Sequence, residues 1–199
     1  MRYYDYETAI TNHWLRSGIG PREAAAELQH ACVDVEVDEE TIRKLEATWQ
    51  EKHDPILIIY GLLGEAWKRL AGFDCEDVHM PADHTDVVGY LAAATSSKFS
   101  VQDVTQAVEP NGNLNLSLTH AGKVYAFTFE DNGSWLNVAG LLAGLNSILE
   151  EIDITERFIE LYAGEGPGVA VFAVPDKFLP AASKLGIRLG ISSSPESAG

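Results

Sequence analysis

Two cysteines, two methionines and only 14 lysines and arginines among 199 residues mark this sequence first by what it has little of. Cys32 and Cys75 stand far apart and form no CxxC pair, so two free thiols in a reducing compartment are expected rather than a disulfide framework. The longest apolar run, Ile56 to Leu63, falls well short of the roughly 20 residues that a bilayer span needs. The start, Met1-Arg2-Tyr3-Tyr4-Asp5-Tyr6-Glu7, lacks a basic segment followed by an apolar one, so no secretory signal is read and a cytoplasmic location is expected. The scarcity of cations matters most. Against 30 aspartates and glutamates it leaves a formal net charge of −16. Such a surface repels nucleic acid and anionic membrane, so neither is expected as a partner, and a basic protein fits better. Acidity that serves only solubility is the plainer reading of the same number.

Reactive constellations are scarce too. Cys75, His79, Asp83, His84 and Asp86 are residue types that ligate zinc. Their Cys-x3-His-x4-His spacing has no second ligand pair, and Asp74, Glu76 and Asp77 surround it, so a solvated acidic loop competes with a metal site. A metal-dependent hydrolase built on Cys75, His79 and His84 is the alternative this leaves open. Cys75 with His79 as a nucleophile pair is disfavoured, because flanking carboxylates raise a thiol pKa. The glycines of 164–168 precede Val169-Ala170-Val171-Phe172, an apparent strand, whereas a phosphate loop opens a helix, so a hairpin loop is read there. Ser134 and His120 have no nucleophile-elbow context. No catalytic residue and no cofactor is expected.

Periodicity carries most of the information. The first half reads as helices. Asp5 can cap a first helix through Leu15 that carries Tyr6, Ile10 and Trp14 at spacing four. Gly18-Ile19-Gly20-Pro21 separates a second, Ala-rich helix, and Cys32 to Val37 is a short strand or a linker. Asp38 caps a third helix with Ile42, Leu45 and Trp49 on one face. Asp54-Pro55 opens a fourth, nearly apolar all round and expected to reach about Leu70, whose Gly61 and Gly64 imply close approach of a neighbouring helix. A loop from Gly72 to about Asp83 and a fifth helix with Val87, Val88 and Leu91 inward follow.

Near Val101 the period changes from helical to alternating. Val101 to Val108, Leu114-Leu116-Leu118 and Tyr125-Phe127-Phe129 read as three strands joined at Asn111-Gly112 and Ala121-Gly122. An amphipathic helix carrying Leu141, Leu142, Leu145, Ile148, Leu149 and Ile152 comes next, then strands at Phe158 and Val169, and a last helix after Pro175. The expected fold is α+β, with a helical region 1–98, a mostly antiparallel sheet region 99–190 ordered β-β-β-α-β-β-α with helices on one face, and a flexible tail 191–199.

Binding is what the remaining surface suits. Glu130 and Asp131 stand beside Trp135, and aromatic anchors with charged neighbours suit an interface, although a core residue stapling the helix entry is the favoured reading of Trp135. A second acidic run, with Glu36, Asp38 and Glu39, is either a partner surface or a cap and solvated face.

The run Gly122-Lys123-Val124-Tyr125-Ala126-Phe127-Thr128-Phe129-Glu130-Asp131-Asn132-Gly133-Ser134-Trp135-Leu136-Asn137-Val138, followed by an apolar helix, Arg157-Phe158 and a late Val-Ala-Val-Phe strand, resembles small bacterial immunity proteins of polymorphic-toxin and contact-dependent inhibition systems. The resemblance covers roughly the C-terminal half. It implies a non-catalytic antitoxin that occludes the active site or substrate groove of a cognate, basic toxin, and it carries over no catalytic residue. A general interaction scaffold is a further alternative.

Overall fold

The computed structural model describes residues 3–32, 37–66, 68–77, 80–95, 98–161, 168–175, 177–187 and 189–190. Three of the four N-terminal helices open where expected, whereas the first begins at Tyr3, so that Asp5 lies within it and does not cap it. In α1 (Tyr3–Ser17), Tyr6, Ile10 and Trp14 are buried, and Gly18 at φ 65° ends the helix while the Ile19 N–H donates to Trp14 O. Pro21 opens α2 (Pro21–Cys32), with Glu23 reaching back to the Gly20 N–H. Asp38 caps α3 (Glu39–Lys52) by accepting from the Thr41 N–H, and Ile42, Leu45 and Trp49 face inward as expected. Asp54 accepts the Ile56 and Leu57 N–H groups at the start of α4 (Pro55–Tyr60).

The fourth helix stops short of Leu70. It widens into a π-helical turn, Gly61–Ala66, and Leu70–Asp74 then forms strand β1. Both glycines are places of close approach, as their positions implied. A Cβ on Gly61 would lie 2.5 Å from Leu45 Cδ2 of α3, and one on Gly64 would lie 3.0 Å from Leu70 Cδ2, which belongs to the strand rather than to a helix. The loop expected from Gly72 therefore begins later, at Cys75. α5 (Thr85–Ala94) buries Val87, Val88 and Leu91.

β2 (Gln102–Val108), β3 (Leu114–His120) and β4 (Lys123–Phe129) form an antiparallel sheet in that order. Ala121 and Gly122, at φ 49° and 79°, supply the left-handed pair that a two-residue hairpin requires. Leu114, Leu116 and Leu118 are buried opposite Phe129, Phe127 and Tyr125. α6 (Val138–Glu151) lies on this face, and its glycines set the distance: a Cβ on Gly144 would fall 2.0 Å from the Phe127 ring.

β5 (Glu156–Leu161), β6 (Gly168–Pro175), α7 (Phe178–Lys184) and the short β7 (Leu189–Gly190) complete the chain. The element order from β2 to α7 is the one expected. The strands divide between two sheets, however, because β1 returns to pair antiparallel with β6 and builds the order β1-β6-β5-β7. Alternation along β5 and β6 then covers both faces. Leu161, Ala170, Phe172 and Val174 join the core of α1–α4 and α7, while Phe158, Val171 and Ala173 join that of α5, α6 and the three-stranded sheet. Segment 1–98 is thus tied into the C-terminal sheet by a strand, and by the Arg69–Glu156 ion pair at 2.6 Å. Residues 33–36, 162–167 and 191–199 lie outside the described residues, and with them the expected tail and all of the expected 164–168 loop except Gly168, which opens β6.

Candidate protein-binding surface

Two stretches that the sequence keeps apart fold against each other. The Leu136 N–H donates to Cys75 O, the Asp77 N–H to Ser134 O and the Ala82 N–H to Gly133 O, while Trp135 forms an isolated antiparallel bridge with Glu76. The acidic loop after β1 is thereby bound to the acidic turn after β4. Asp74, Glu76, Asp77 and Asp83 come from the first, Glu130 and Asp131 from the second, and no Lys or Arg occurs from residue 70 to 97 or from 124 to 156.

Local turns carry side-chain hydrogen bonds in both stretches. Asp74 accepts from the Glu76 N–H, Asp77 from the Asp83 N–H, Asp83 from Thr85 and Asp131 from the Gly133 N–H. Asp74, Asp83 and Asp131 each accept these bonds through Oδ1. Trp135 lies on the second stretch with 47% of its surface exposed, so it is an exposed aromatic and not the core residue that the sequence favoured. Met80 is also exposed.

Beneath the loops lies His84, which is fully buried. The Asn137 N–H donates to its Nε2 at 2.9 Å, so that nitrogen carries no proton and Nδ1 does. Nδ1 donates toward Ala82 O and Gln106 Oε1, the latter at 2.9 Å, and the Gln106 amide donates in turn to Ala82 O. One neutral imidazole therefore joins the start of α5, strand β2 and the start of α6, where Asn137 caps by accepting from the Gly140 N–H. Burial lowers the His84 pKa below its ordinary value, although Gln106, Ala82, Asp83 and Asp131 all pull it upward.

This network determines what the proposed metal ligands can do. Both His84 ring nitrogens are engaged within the fold, and Cys75 is buried, with its thiol pKa pushed up to about 11 by desolvation and by Glu160 and Asp74. Such a thiol is poorly suited to nucleophile or ligand chemistry at neutral pH. His79 lies outside the described residues. Among the described residues no three His, Cys, Asp or Glu side chains are arranged to hold a metal ion.

The second acidic run is engaged differently. Asp38 gives both carboxylate oxygens to Thr41, and Glu39 makes a paired contact with the Arg22 guanidinium at 2.8 and 3.0 Å. Hydrogen bonds from Thr41 lower the Asp38 pKa, and that from Arg22 lowers the Glu39 pKa. Glu36 lies outside the described residues. Sequence reasoning treated His84 only as a metal ligand and passed over Gln106 and Asn137; the one available signal was Asn137 three residues before Gly140, at cap spacing. Among the described residues no helix is long and apolar enough to cross a membrane. No protein-family model, curated protein or solved structure matches this chain.

Proposed function

We propose that this protein is a non-catalytic, cytoplasmic immunity protein that binds a basic toxin through the surface around Trp135 and blocks its active site or substrate groove. The observation that carries the reading is an exposed tryptophan on an acidic turn that is hydrogen-bonded to a second acidic loop, with no Lys or Arg in either stretch of sequence. A net charge of −16 steers a cationic partner toward the protein. Burial of Trp135 then supplies short-range affinity that charge alone does not.

The test is capture of a basic partner from the native host at low salt, followed by titration of the purified pair. Glu130→Lys with Asp131→Lys is expected to weaken binding at least about tenfold and to flatten its salt dependence. Trp135→Ala is expected to cost about 2 kcal/mol or more of binding energy while the thermal melt barely moves. Unchanged affinity in both variants would refute the assignment of the surface. A partner whose toxic activity survives saturation by this protein would refute the inhibitory role.

A further inference from the structure

The two edges of the three-stranded sheet are built differently. β2 carries a register shift between Gln102 and Thr105 with Asp103 in the left-handed region, an irregularity that blunts a sheet edge. β4 keeps unbroken register with β3 from Lys123 to Phe129, contains no proline or bulge, and has no strand on its other side among the described residues. Its outward side chains, Val124, Ala126 and Thr128, are uncharged, and Val124 is 66% exposed. Such an edge is a template for another strand.

We infer that a second copy of this chain docks here, β4 against β4 in antiparallel register, with the two α6 helices meeting on the same side of a continuous six-stranded sheet. Helix α6 runs antiparallel to β4, since Gly140 sits on Phe129, Gly144 on Phe127 and Glu151 on Lys123. Asn146 meanwhile hydrogen-bonds the Phe158 backbone of β5. At about 100° per residue, the exposed stripe Ala139, Ala143 and Ser147 falls between the side on β4 and the side on β5, so it opens beside the free edge. A two-fold axis at Phe127 passes close to Ala143 and places Ala139 against Ser147 of the copy. Small residues there let the helices approach.

Charge selects the copy and the direction. β4 begins at Lys123 and is followed, just past its last residue Phe129, by Glu130-Asp131. Antiparallel pairing about Phe127 puts Lys123 opposite Asp131 of the copy, whereas parallel pairing would bring like ends together. Antiparallel helices likewise place Glu150 toward the copy's helix N-terminus, a favourable position for a carboxylate. Two chains of charge −16 repel over most of their surface, and this neutral face lets them meet.

Sedimentation equilibrium of the full chain tests the inference. The expected result is a particle of twice 21.7 kDa whose association tightens as salt screens the net repulsion. Ala143→Glu sets two carboxylates face to face at the axis and is expected to weaken association at least about tenfold. Leu179→Glu, on the exposed face of α7, is expected to leave it unchanged. If Ala143→Glu lost its native circular dichroism, Ser147→Glu would give the same reading. A wild-type chain that stays at 21.7 kDa at its highest soluble concentration would overturn the inference. So would association that weakens with salt, or that survives in a folded Ala143→Glu or Ser147→Glu variant.

Discussion

Mild acid should loosen the Trp135 surface before it affects the rest of the protein, because His84 holds that surface only when neutral. Protonation at Nε2 would convert the acceptor of the Asn137 N–H into a donor facing a donor 2.9 Å away. A buried donor stripped of its partner costs about 1 to 3 kcal/mol, and a buried charge adds to that. The folded-state pKa lies below the ordinary value of 6.5. The unfolded chain therefore binds the proton first as pH falls. Stability is full above about pH 6.5 and is lost as pH falls toward the folded-state pKa, with a slope approaching about 1.4 kcal/mol per pH unit. Urea unfolding from about pH 7.5 to about pH 5, followed by tryptophan fluorescence, measures that slope. His84→Gln, which cannot titrate, is expected to be less stable at neutral pH and to lose this part of the pH dependence. An unchanged slope in a folded His84→Gln variant would refute the argument.

Two further predictions follow from packing. Gly144→Ala gains about 1 kcal/mol of helix propensity but drives a methyl to 2.0 Å from the Phe127 ring, so a net loss of about 1 to 2 kcal/mol in urea is expected; stabilisation would mean that α6 does not rest on β4 at this point. Cys75, buried and with its pKa at about 11, should resist iodoacetamide at neutral pH until urea unfolds the chain, and rapid alkylation of the native protein, located at Cys75 by peptide mapping, would contradict its placement.

The parts of the fold that were legible in the sequence are those whose partners lie nearby in the chain. β3, β4 and α6 were readable because Leu114-Leu116-Leu118, Tyr125-Phe127-Phe129 and the Leu141 to Leu149 pattern each declare a period, and Ala121-Gly122 joins neighbours. Asp38 and Asp54 announced their helices for the same reason: a cap bonds residues two or three positions away. β1 was not legible. Leu70-Ala71-Gly72-Phe73-Asp74 is short, has glycine at its centre, and is a strand only because β6 waits for it far down the chain. The site divides the same way. Trp135 and its acidic neighbours were visible, whereas the loop that completes the surface is joined to them through Cys75, Asp77 and Ala82, contacts that no local pattern predicts. His84 drew notice for its chemistry, yet its role depends on Gln106 and Asn137, which lie 22 and 53 residues away.

The distribution of charge over this fold connects the two proposed interfaces. Four exposed cations are paired with carboxylates of their own fold: Arg22 with Glu39 and Glu46, Lys44 with Glu40, Lys123 with Glu151 and Lys184 with Glu27. Exposed pairs of this kind add little stability, so their main consequence is to concentrate the unbalanced negative charge elsewhere. It gathers where the cation-free loops meet around Trp135, and the outward face of β4 beside it carries none. A basic partner at the first surface would be attracted by the charge that keeps two copies apart at the second. Added salt should therefore weaken the first contact and strengthen the second. Asp131 lies two residues past the end of β4 and four before Trp135, which makes the Glu130→Lys and Asp131→Lys pair informative about both. At the toxin surface it removes attraction. At the strand edge it would place new lysines near Lys123 of the copy, so partner binding and self-association should fall together, whereas Trp135→Ala should lower only the first.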